Sequence, residues 1–438
     1  MKISKINIHN YFQFQDLELD LTYPKGHEKE GQALDKVCLI GQSGTGKTTL
    51  LELVKTLILS ITRKKIFHFD INSEINTKIP DIFLSLKPKN VELENLTIRW
   101  KDSLDHGRWE YDQQPKESIL NLLLYFPASI SNFVITSGGI LKADNEIKDF
   151  FYFDKSSLEY LWNRSSGELG RYQLDEADYR VKLTRQAERE KKIIDFAQLM
   201  ERWKVNNPNP LEKIAQECLN PLLNRFHLAV QTEIEDYRNA KFLQIRSLQN
   251  GNIIPYEKLS SGTRQILYTA FPIYQLLEEN SIILMDEPEN SLYPDMQQEI
   301  IQYYTSFDKE KKSQFFFATH SPIIASAFEP WEIVELKFKP DGTIYRELYY
   351  EGENHVDNYH TDPRYLRWDS ILTKVFDLKT EGNERFRSEK LMDYSMLKRE
   401  IEALEKEGQL KNPSKKTKEI IRKFEKAGEL LDWETSKL

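Results

Sequence analysis

The sequence of 438 residues contains only two cysteines, Cys38 and Cys218, and no apolar run as long as a membrane-spanning helix. Two cysteines cannot form a disulfide framework, and their spacing does not match a metal site. A membrane helix needs about 18 consecutive apolar residues. The N-terminus also lacks the charged segment and apolar stretch of a secretory signal. These absences predict a cytoplasmic protein without a membrane anchor.

The chain also lacks an excess of positive charge. Lysine and arginine number 61 against 69 aspartates and glutamates, so the formal net charge is −8. General electrostatic attraction to nucleic acid is therefore not expected, and any DNA contact would require a local basic patch. Charged residues make up 30% of the chain and hydrophobic residues 39%. This balance indicates a large solvated surface.

Among the features that are present, the segment Gly41–Thr48 (GQSGTGKT) matches the phosphate-loop pattern G-x-x-x-x-G-K-[ST]. It follows the apolar run Val37–Ile40 and precedes an apolar-periodic stretch from Leu50, which is the strand, loop and helix context that the motif requires. Backbone N–H groups and the helix dipole would then surround a phosphate. Lys47 is expected to reach the β- and γ-phosphates of ATP and Thr48 to ligate Mg²⁺. The alternative is a glycine-rich turn beside a surface lysine. The predicted nucleotide-binding residues of this segment are Gly41, Ser43, Gly44, Thr45, Gly46, Lys47, Thr48 and Thr49.

A second motif, Leu259–Gln265 (LSSGTRQ), precedes an apolar-periodic helix that runs through Leu277. The first N–H groups of a helix have no partner within the helix, so such a turn is a candidate anion site. Ser260, Ser261 and Gly262 by themselves are more typical of an ordinary helix cap. The position of this turn, shortly before the next motif, favours the anion site.

The third motif is the apolar run Ile282–Met285 followed by Asp286, Glu287 and Pro288. A buried parallel strand needs such a run, and its carboxyl end is where α/β sheets place ligands. Asp286 is predicted to support Mg²⁺ together with Thr48, and Glu287 to act as the general base on the attacking water. The alternative is a strand that ends in a charged turn.

A fourth motif follows another apolar strand, Gln314–Ala318, and begins at Thr319. A single histidine after a strand is often structural. Because His320 follows a second apolar strand of the same predicted sheet, it is predicted to contact the γ-phosphate or to hold the attacking water.

Taken together and in this order, the four motifs resemble those of ABC-type ATPases of the SMC, RecF and OLD-like group. The segments Asp286–Pro294 and Ala318–Pro322 are most similar to the compact OLD-like branch, AAA-family ATPases of prokaryotic antiphage defence. The resemblance implies an α/β fold: an ABC-type ATPase head with a mixed β-sheet core, a helical insertion and a C-terminal helical hairpin. It also implies that the protein binds ATP and Mg²⁺ and that it forms a head-to-head dimer or a higher oligomer. In that dimer, Ser260 and Gly262, with Ser261 beside them, would face the γ-phosphate bound by the other subunit. Leu292–Pro294 would lie at the seam, which is the contact surface between the two subunits.

The sequence departs from this pattern at three places. Ser261 and Thr263 stand where ABC transporters have glycine and glutamine, and Tyr293 replaces the aspartate or histidine of the seam. The glutamine loop cannot be assigned, because the predicted strand Leu122–Phe126 ends at Pro127. The motif halves are far apart in the chain, and no membrane segment or carboxylate-rich nuclease domain accompanies them. A transporter-coupled ATPase and an OLD nuclease are therefore disfavoured.

The domain organisation follows from these motifs. Residues 1–130 are predicted to form the first half of the ATPase head, 131–228 a mainly helical insertion and 229–350 the second half. Residues 351–438 are predicted to form a helical appendage. In it, two segments with apolar residues at helical spacing lie on either side of a break at Gly408–Pro413. Docking of this hairpin on its own core and docking on a partner both remain open.

Two functions compete. The first is a sensor ATPase of an antiphage system, of the Septu, retron-associated or PARIS types, that controls a separate effector such as a nuclease or toxin. The second is a RecF-like DNA-repair or chromosome-maintenance ATPase that acts directly on DNA. The acidic charge balance and the missing long coiled coil and nuclease domain favour the first, although this preference is an analogy with the family.

Overall fold

The structure is a computed structural model. It describes residues 2–63, 82–87, 96–101, 108–111, 122–128, 150–152, 155–190, 195–232, 243–255, 258–376, 384–406, 410 and 413–430. The chain divides into two compact units, Met1–Ile371 and Leu372–Leu438. No helix within these described ranges has the length and apolar character to cross a membrane.

In the described residues, the first unit is built on a mixed sheet of twelve strands. Its strands are β1 (Lys2–Tyr11), β2 (Phe14–Asp20), β3 (Lys36–Gly41), β4 (Ile82–Lys87), β5 (Leu96–Lys101), β6 (Arg108–Tyr111), β7 (Leu122–Phe126), β8 (Phe150–Tyr152), β12 (Ser281–Asp286), β13 (Gln314–Ala318), β14 (Ile333–Phe338) and β15 (Ile344–Glu347). A small second sheet contains β9 (Leu228–Val230), β10 (Ile245–Ser247) and β11 (Ile253–Ile254).

The order of strands in the large sheet is β6-β5-β4-β1-β2-β15-β14-β3-β13-β12-β7-β8. One half, from β14 through β3, β13, β12 and β7 to β8, is parallel, and the meander β2-β1-β4-β5-β6 is antiparallel. The carboxyl ends of β3, β7, β12 and β13 therefore meet at one edge, which is where ligands bind in such sheets.

The helices of the first unit flank these strands. They are α1 (Lys47–Arg63), α2 (Lys155–Glu190), α3 (Phe196–Asn206), α4 (Pro210–Ile214), a π-helix (Ala215–Leu219), α5 (Asn220–Leu223), α6 (Ser261–Leu276), α7 (Pro294–Ser306), α8 (Pro322–Ala325) and α9 (Trp368–Lys374), which reaches into the second unit. Short 3₁₀ helices lie at Asn224–Phe226, Pro330–Glu332, Val356–Asn358 and Pro363–Tyr365.

The apolar core joins the meander to the parallel strands. Strands β3, β12 and β13 are buried along almost their whole length, as the continuous apolar runs predict for a parallel sheet covered on both faces. Helix α1 buries Leu50, Leu53 and Val54 against this sheet. The phosphate-loop segment is thereby fixed between a buried strand and a buried helix.

Four apolar runs, Val37–Ile40, Leu122–Phe126, Ile282–Met285 and Gln314–Ala318, predict buried strands, and all four are confirmed, as is the fold class. The turn residues Asn250-Gly251 and Asp341-Gly342 predict hairpins over residues 242–256 and 331–349, and the antiparallel pairs β10–β11 and β14–β15 confirm both hairpins in the described residues. The charged, helix-favouring stretch Leu174–Trp203 predicts about one helix, whereas its described residues belong to two helices, α2 and α3, and α2 begins already at Lys155. Serines and glycines around Gly167 weaken the local helix signal, but Leu161, Trp162 and Leu169 are buried, and this packing supports the helix. Asp195 caps the second helix by accepting a hydrogen bond from the Gln198 N–H.

The second unit contains the predicted helical hairpin, formed by α10 (Glu384–Lys406) and α11 (Lys415–Leu430). Ile401, Phe424 and Ala427 are buried, and the rings of Tyr394 and Phe424 stack with their centroids 4.5 Å apart. Ser414 caps α11 through the Thr417 N–H. Most of the predicted break at residues 408–413 lies outside the described residues. The same is true of Leu431, the last apolar residue of the predicted second helix.

Candidate functional site

The phosphate-loop segment connects β3 to α1 and has the backbone conformation that its glycines allow. Gly41, Gly44 and Gly46 have φ angles of +146°, +87° and +86°. A Cβ at Gly46 would lie 2.1 Å from Gln13 Nε2, and one at Gly41 would lie 2.4 Å from the Leu336 carbonyl oxygen. The positive φ thus favours glycine at all three positions, and at Gly41 the close approach of the β14 backbone also excludes a side chain.

Lys47 at the start of α1 is a buried cation. Its Nζ donates to the Gly41 carbonyl at 2.9 Å and to the Gln42 carbonyl at 3.3 Å. Burial lowers the pKa of Lys47 to about 8, although the negative charges of Asp286 and Glu287 oppose this shift. Carbonyl dipoles compensate a buried ammonium group poorly, whereas a phosphate group would supply full negative charge. The site therefore fits an anionic ligand.

The other predicted residues of the loop occupy suitable places. Ser43 is exposed at its crest, and Thr49 is half-buried in the first turn of α1. Thr45 is buried and its hydroxyl donates to the Gln42 carbonyl, which fixes the curvature of the loop.

Thr48 lies beside Asp286 at the carboxyl end of β12. The Thr48 hydroxyl donates a 2.7 Å hydrogen bond to Asp286 Oδ2. Burial raises the pKa of Asp286, and the hydrogen bond from Thr48 opposes that shift. A hydroxyl and a carboxylate side by side are hard oxygen ligands, which Mg²⁺ prefers when it is also bound to phosphates and water. This pair fits a magnesium ion.

Glu287 and His320 follow β12 and β13 and face each other. Their Oε1 and Nε2 atoms are 3.9 Å apart, and both side chains are partly exposed. The backbone of Glu287 has a φ of +50°, and its N–H donates to the Ala318 carbonyl at 2.8 Å. Burial, and then the charge of Lys47, lower the pKa of His320. The imidazole is therefore neutral at pH 7 and has one donor and one acceptor nitrogen.

Two residues near this edge were missed by reasoning from the sequence, Asn290 and Glu289. The Asn290 side-chain amide donates to Glu287 Oε2 at 3.0 Å and to the Ala128 carbonyl at 2.8 Å. It thus holds the Glu287 carboxylate against the end of β7. The sequence shows a run of polar residues after β12, but only the fold shows that Glu289 and Asn290 of this run contact the residues of the site. The glutamine loop that the resemblance implies stays unassigned, and the described residues after β7 stop at Ala128.

The Ser260–Gly262 turn forms the N-terminus of α6. Ser260 caps the helix, since its Oγ accepts from the Thr263 N–H at 3.1 Å. Gly262 is buried, and a Cβ there would lie 2.5 Å from the Ser291 carbonyl oxygen. Ser261 is exposed, and so is the Tyr293 side chain, at 71%.

The structure therefore brings Lys47, Thr48, Asp286, Glu287 and His320 together at one edge of the sheet. The Ser260–Gly262 turn instead makes its contacts beside Ser291.

Comparison with known proteins agrees with this arrangement. Residues 36–326 match the family model described as "AAA domain, putative AbiEii toxin, Type IV TA system". The lipoprotein-releasing system ATP-binding protein LolD of Ehrlichia ruminantium, in the strains Gardel and Welgevonden, is 31% identical to this chain over 106 residues. That alignment covers 24% of this chain and 45% of LolD. The chain thus spans less than half the length of the curated relatives it matches.

Solved structures with a similar chain path include SMC head domains. The Smc head of Pyrococcus furiosus with an extended coiled coil, bound to the C-terminal domain of ScpA, is 14% identical with a TM-score of 0.45. The match covers 79% of this chain and 96% of that one. The SMC head domain of Thermotoga maritima is 12% identical with a TM-score of 0.39, and the match covers 80% and 99% of the two chains.

Proposed function

We propose that this chain, which belongs to the ABC-type ATPases of the family described as "AAA domain, putative AbiEii toxin, Type IV TA system", binds and hydrolyses ATP with Mg²⁺. The model of that family matches more than half of the chain. The observation that carries this proposal is the meeting of Lys47, the Thr48–Asp286 pair and the Glu287–His320 pair at one sheet edge. A phosphate loop, a magnesium pair and a base beside a histidine are the parts that ATP hydrolysis requires.

Each part has its own task. The N–H groups of Gly41–Thr49 and the Lys47 ammonium bind the phosphates, and Thr48 with Asp286 holds the metal. Bound Mg²⁺ would neutralise charge on the β- and γ-phosphates. Glu287 accepts the proton of the water that attacks the γ-phosphorus, and ADP leaves with its β-phosphate oxygen. His320 orients that water or donates to the γ-phosphate.

We further propose that hydrolysis takes place in a homodimer with two sandwiched nucleotides. Support comes from the Ser260–Gly262 turn, where Gly262 is buried against Ser291 but Ser261 remains exposed. Tyr293, which the resemblance places at the seam, is exposed and therefore accessible to a second subunit, and tyrosine is enriched in protein–protein interfaces. In such a dimer the turn would contact the γ-phosphate bound by the other subunit.

In the cell, we propose that this ATPase is the sensor of an antiphage defence system and controls a separate effector, a nuclease or a toxin. The family description, which refers to a toxin–antitoxin system, supports this context. A stimulation of ATP turnover by DNA alone, without a protein partner, would instead favour the RecF-like function.

The decisive experiment compares three purified proteins: the parent, Glu287→Gln and the control Glu351→Gln, which changes an exposed carboxylate. We expect Mg²⁺-dependent ATP turnover in the parent and control. In Glu287→Gln, kcat should fall by about 10²–10⁴-fold, the range of a general base. Light scattering in the presence of ATP should then show a lasting dimer for Glu287→Gln, because the sandwiched ATP is hydrolysed slowly. The parent should form the dimer only until its ATP is hydrolysed. Parental turnover in Glu287→Gln would show that another group is the base.

A further inference from the structure

Glu289 connects the turn that carries Glu287 to the turn that carries His320. One of its carboxylate oxygens, Oε1, accepts the backbone N–H of His320 at 3.1 Å and the hydroxyl of Thr319. The same hydroxyl accepts the Ser321 N–H at 2.9 Å. Glu289 therefore orders three consecutive residues around the histidine.

A second connection runs parallel to the first. The Ser321 hydroxyl donates to Gln297 Oε1 at 2.7 Å, and Gln297 Nε2 donates to the Leu292 carbonyl at 2.9 Å. Leu292 is buried and precedes the exposed Tyr293. The loop with His320 is thus held at one end by Glu289 and at the other by α7, next to the proposed seam.

The position of the His320 ring depends on these backbone contacts. At 3.9 Å, Nε2 is too far from Glu287 Oε1 for a hydrogen bond. The imidazole is also partly exposed, so packing alone does not fix it. The backbone that Glu289 holds therefore contributes to the distance between the ring and Glu287.

One oxygen of the half-buried Glu289 side chain is removed from water, which is costly for a carboxylate. Its second oxygen, Oε2, is buried without a hydrogen-bond partner among the described residues. Desolvation raises the pKa of this carboxyl group, and the hydrogen bonds from Thr319 and His320 oppose that shift. An apolar side chain of similar size would avoid this cost, so the acceptor itself is the functional part of the residue.

We propose that Glu289 is a positioning residue for ATP hydrolysis, which fixes His320 relative to Glu287 through the His320 N–H and the Thr319 hydroxyl. This inference rests on the proposed ATPase function. It concerns geometry, because the hydrogen bonds of Glu289 described above reach Thr319 and His320 and not the phosphate-loop segment or the Thr48–Asp286 pair. The negative charge of Glu289 also acts on Lys47, but alanine and glutamine both remove this charge, so a comparison of the two variants isolates the hydrogen bonds. Displacement of a reacting group by about 1 Å can reduce a rate by about a hundredfold.

The test uses Glu289→Ala, the conservative Glu289→Gln and the control Glu351→Gln. Glutamine keeps the acceptor oxygen, whereas alanine removes it. In Glu289→Ala we expect kcat for MgATP to fall by about 10- to 100-fold while KM stays within about threefold. Glu289→Gln should recover most of the parental kcat. A purely structural role would instead lower the thermal midpoint and change both constants together.

A second measurement is independent of turnover. Amide hydrogen exchange of the nucleotide-free proteins should show faster exchange at His320 in Glu289→Ala and parental exchange in Glu289→Gln and Glu351→Gln. Parental exchange and parental kcat in Glu289→Ala would overturn the inference, and so would a Gln variant as impaired as the Ala variant. An inactive parent would overturn the proposed function instead, and the exchange experiment would still test the Glu289–His320 contact.

Discussion

The hydroxyl of Thr48 and the carboxylate of Asp286 form a 2.7 Å hydrogen bond although they are 238 positions apart in the chain. The strand order explains this contact. Strand β13 separates β3 from β12, and all three are parallel, so the residues that follow β3 and those that end β12 lie at the same edge. Helix α1, which begins at Lys47, also contacts β12 directly. The pair is therefore a property of the sheet topology.

Substitution Asp286→Asn tests the metal role of this pair. Asparagine keeps an acceptor for the Thr48 hydroxyl but removes the charge that a divalent cation requires. The Mg²⁺ concentration for half-maximal ATP turnover should rise by about 10- to 100-fold. The exposed Asp295→Asn serves as the control. A parental Mg²⁺ titration in Asp286→Asn would remove this carboxylate from the metal site.

Substitution Lys47→Ala tests the phosphate site. The buried ammonium group of Lys47 is held only by backbone carbonyls among its described hydrogen bonds, so its charge is available to a phosphate. Its loss should weaken ATP binding by roughly a hundredfold, the equivalent of about 3 kcal/mol for a charge-assisted contact. Titration calorimetry with ATP measures this effect, and Lys309→Ala, at an exposed site, should bind as the parent does. Equal affinities in the two variants would contradict the assignment.

Substitution Gly262→Ala tests the packing of the Ser260–Gly262 turn. The new Cβ would lie 2.5 Å from the Ser291 carbonyl oxygen, so the helix start or the Ser291 backbone must shift. We expect a destabilisation of about 1–3 kcal/mol and weaker ATP-dependent dimerisation, measured by thermal unfolding and light scattering. The matched control is Gly167→Ala in α2, where nothing lies within 4 Å of the added atom.

Alanine at position 167 should stabilise the protein by up to about 1 kcal/mol, because helix propensity is the main effect that changes there. If Gly262→Ala behaves like Gly167→Ala in both measurements, the close contact with Ser291 does not constrain the turn.

Substitution Glu332→Gln tests a buried carboxyl group at the opposite edge of the sheet. Glu332 accepts the Glu329 N–H at 2.9 Å and lies 3.2 Å from the Lys36 ammonium group. Burial raises the pKa of Glu332 from 4.5 to about 7, and the nearby charge of Lys36 opposes this. The folded protein therefore holds a proton that the unfolded chain releases between these two pH values.

The sign of the effect follows from this difference. Stability contributed by protonated Glu332 is fully present below pH 4.5 and is lost as the pH rises to about 7. Glutamine does not titrate. From pH 4.5 to pH 8 the stability of Glu332→Gln relative to the parent should thus rise by up to about 3 kcal/mol. Urea unfolding across this range measures it, and a difference independent of pH would contradict the raised pKa.

Much of the fold was predictable because short local patterns in the sequence indicate its strands and turns. The apolar runs Val37–Ile40 and Ile282–Met285 identify buried strands by composition alone, and Asn250-Gly251 identifies a hairpin by its backbone preference. Helix α2 was only partly predictable, because its start is supported by burial of Leu161 and Trp162 against distant parts of the chain. No local signal records such contacts.

The sequence by itself determined which side chains are available for the proposed chemistry: a phosphate loop, two adjacent carboxylates after a buried strand and a histidine after the next strand. Their identity depends on residue type and spacing along a few neighbouring positions, which the sequence displays directly. The tertiary structure alone decided that Glu289 holds the His320 backbone, that Asn290 ties Glu287 to Ala128, and that Gly262 packs on Ser291. These contacts join different loops, and only the order of the strands brings those loops together.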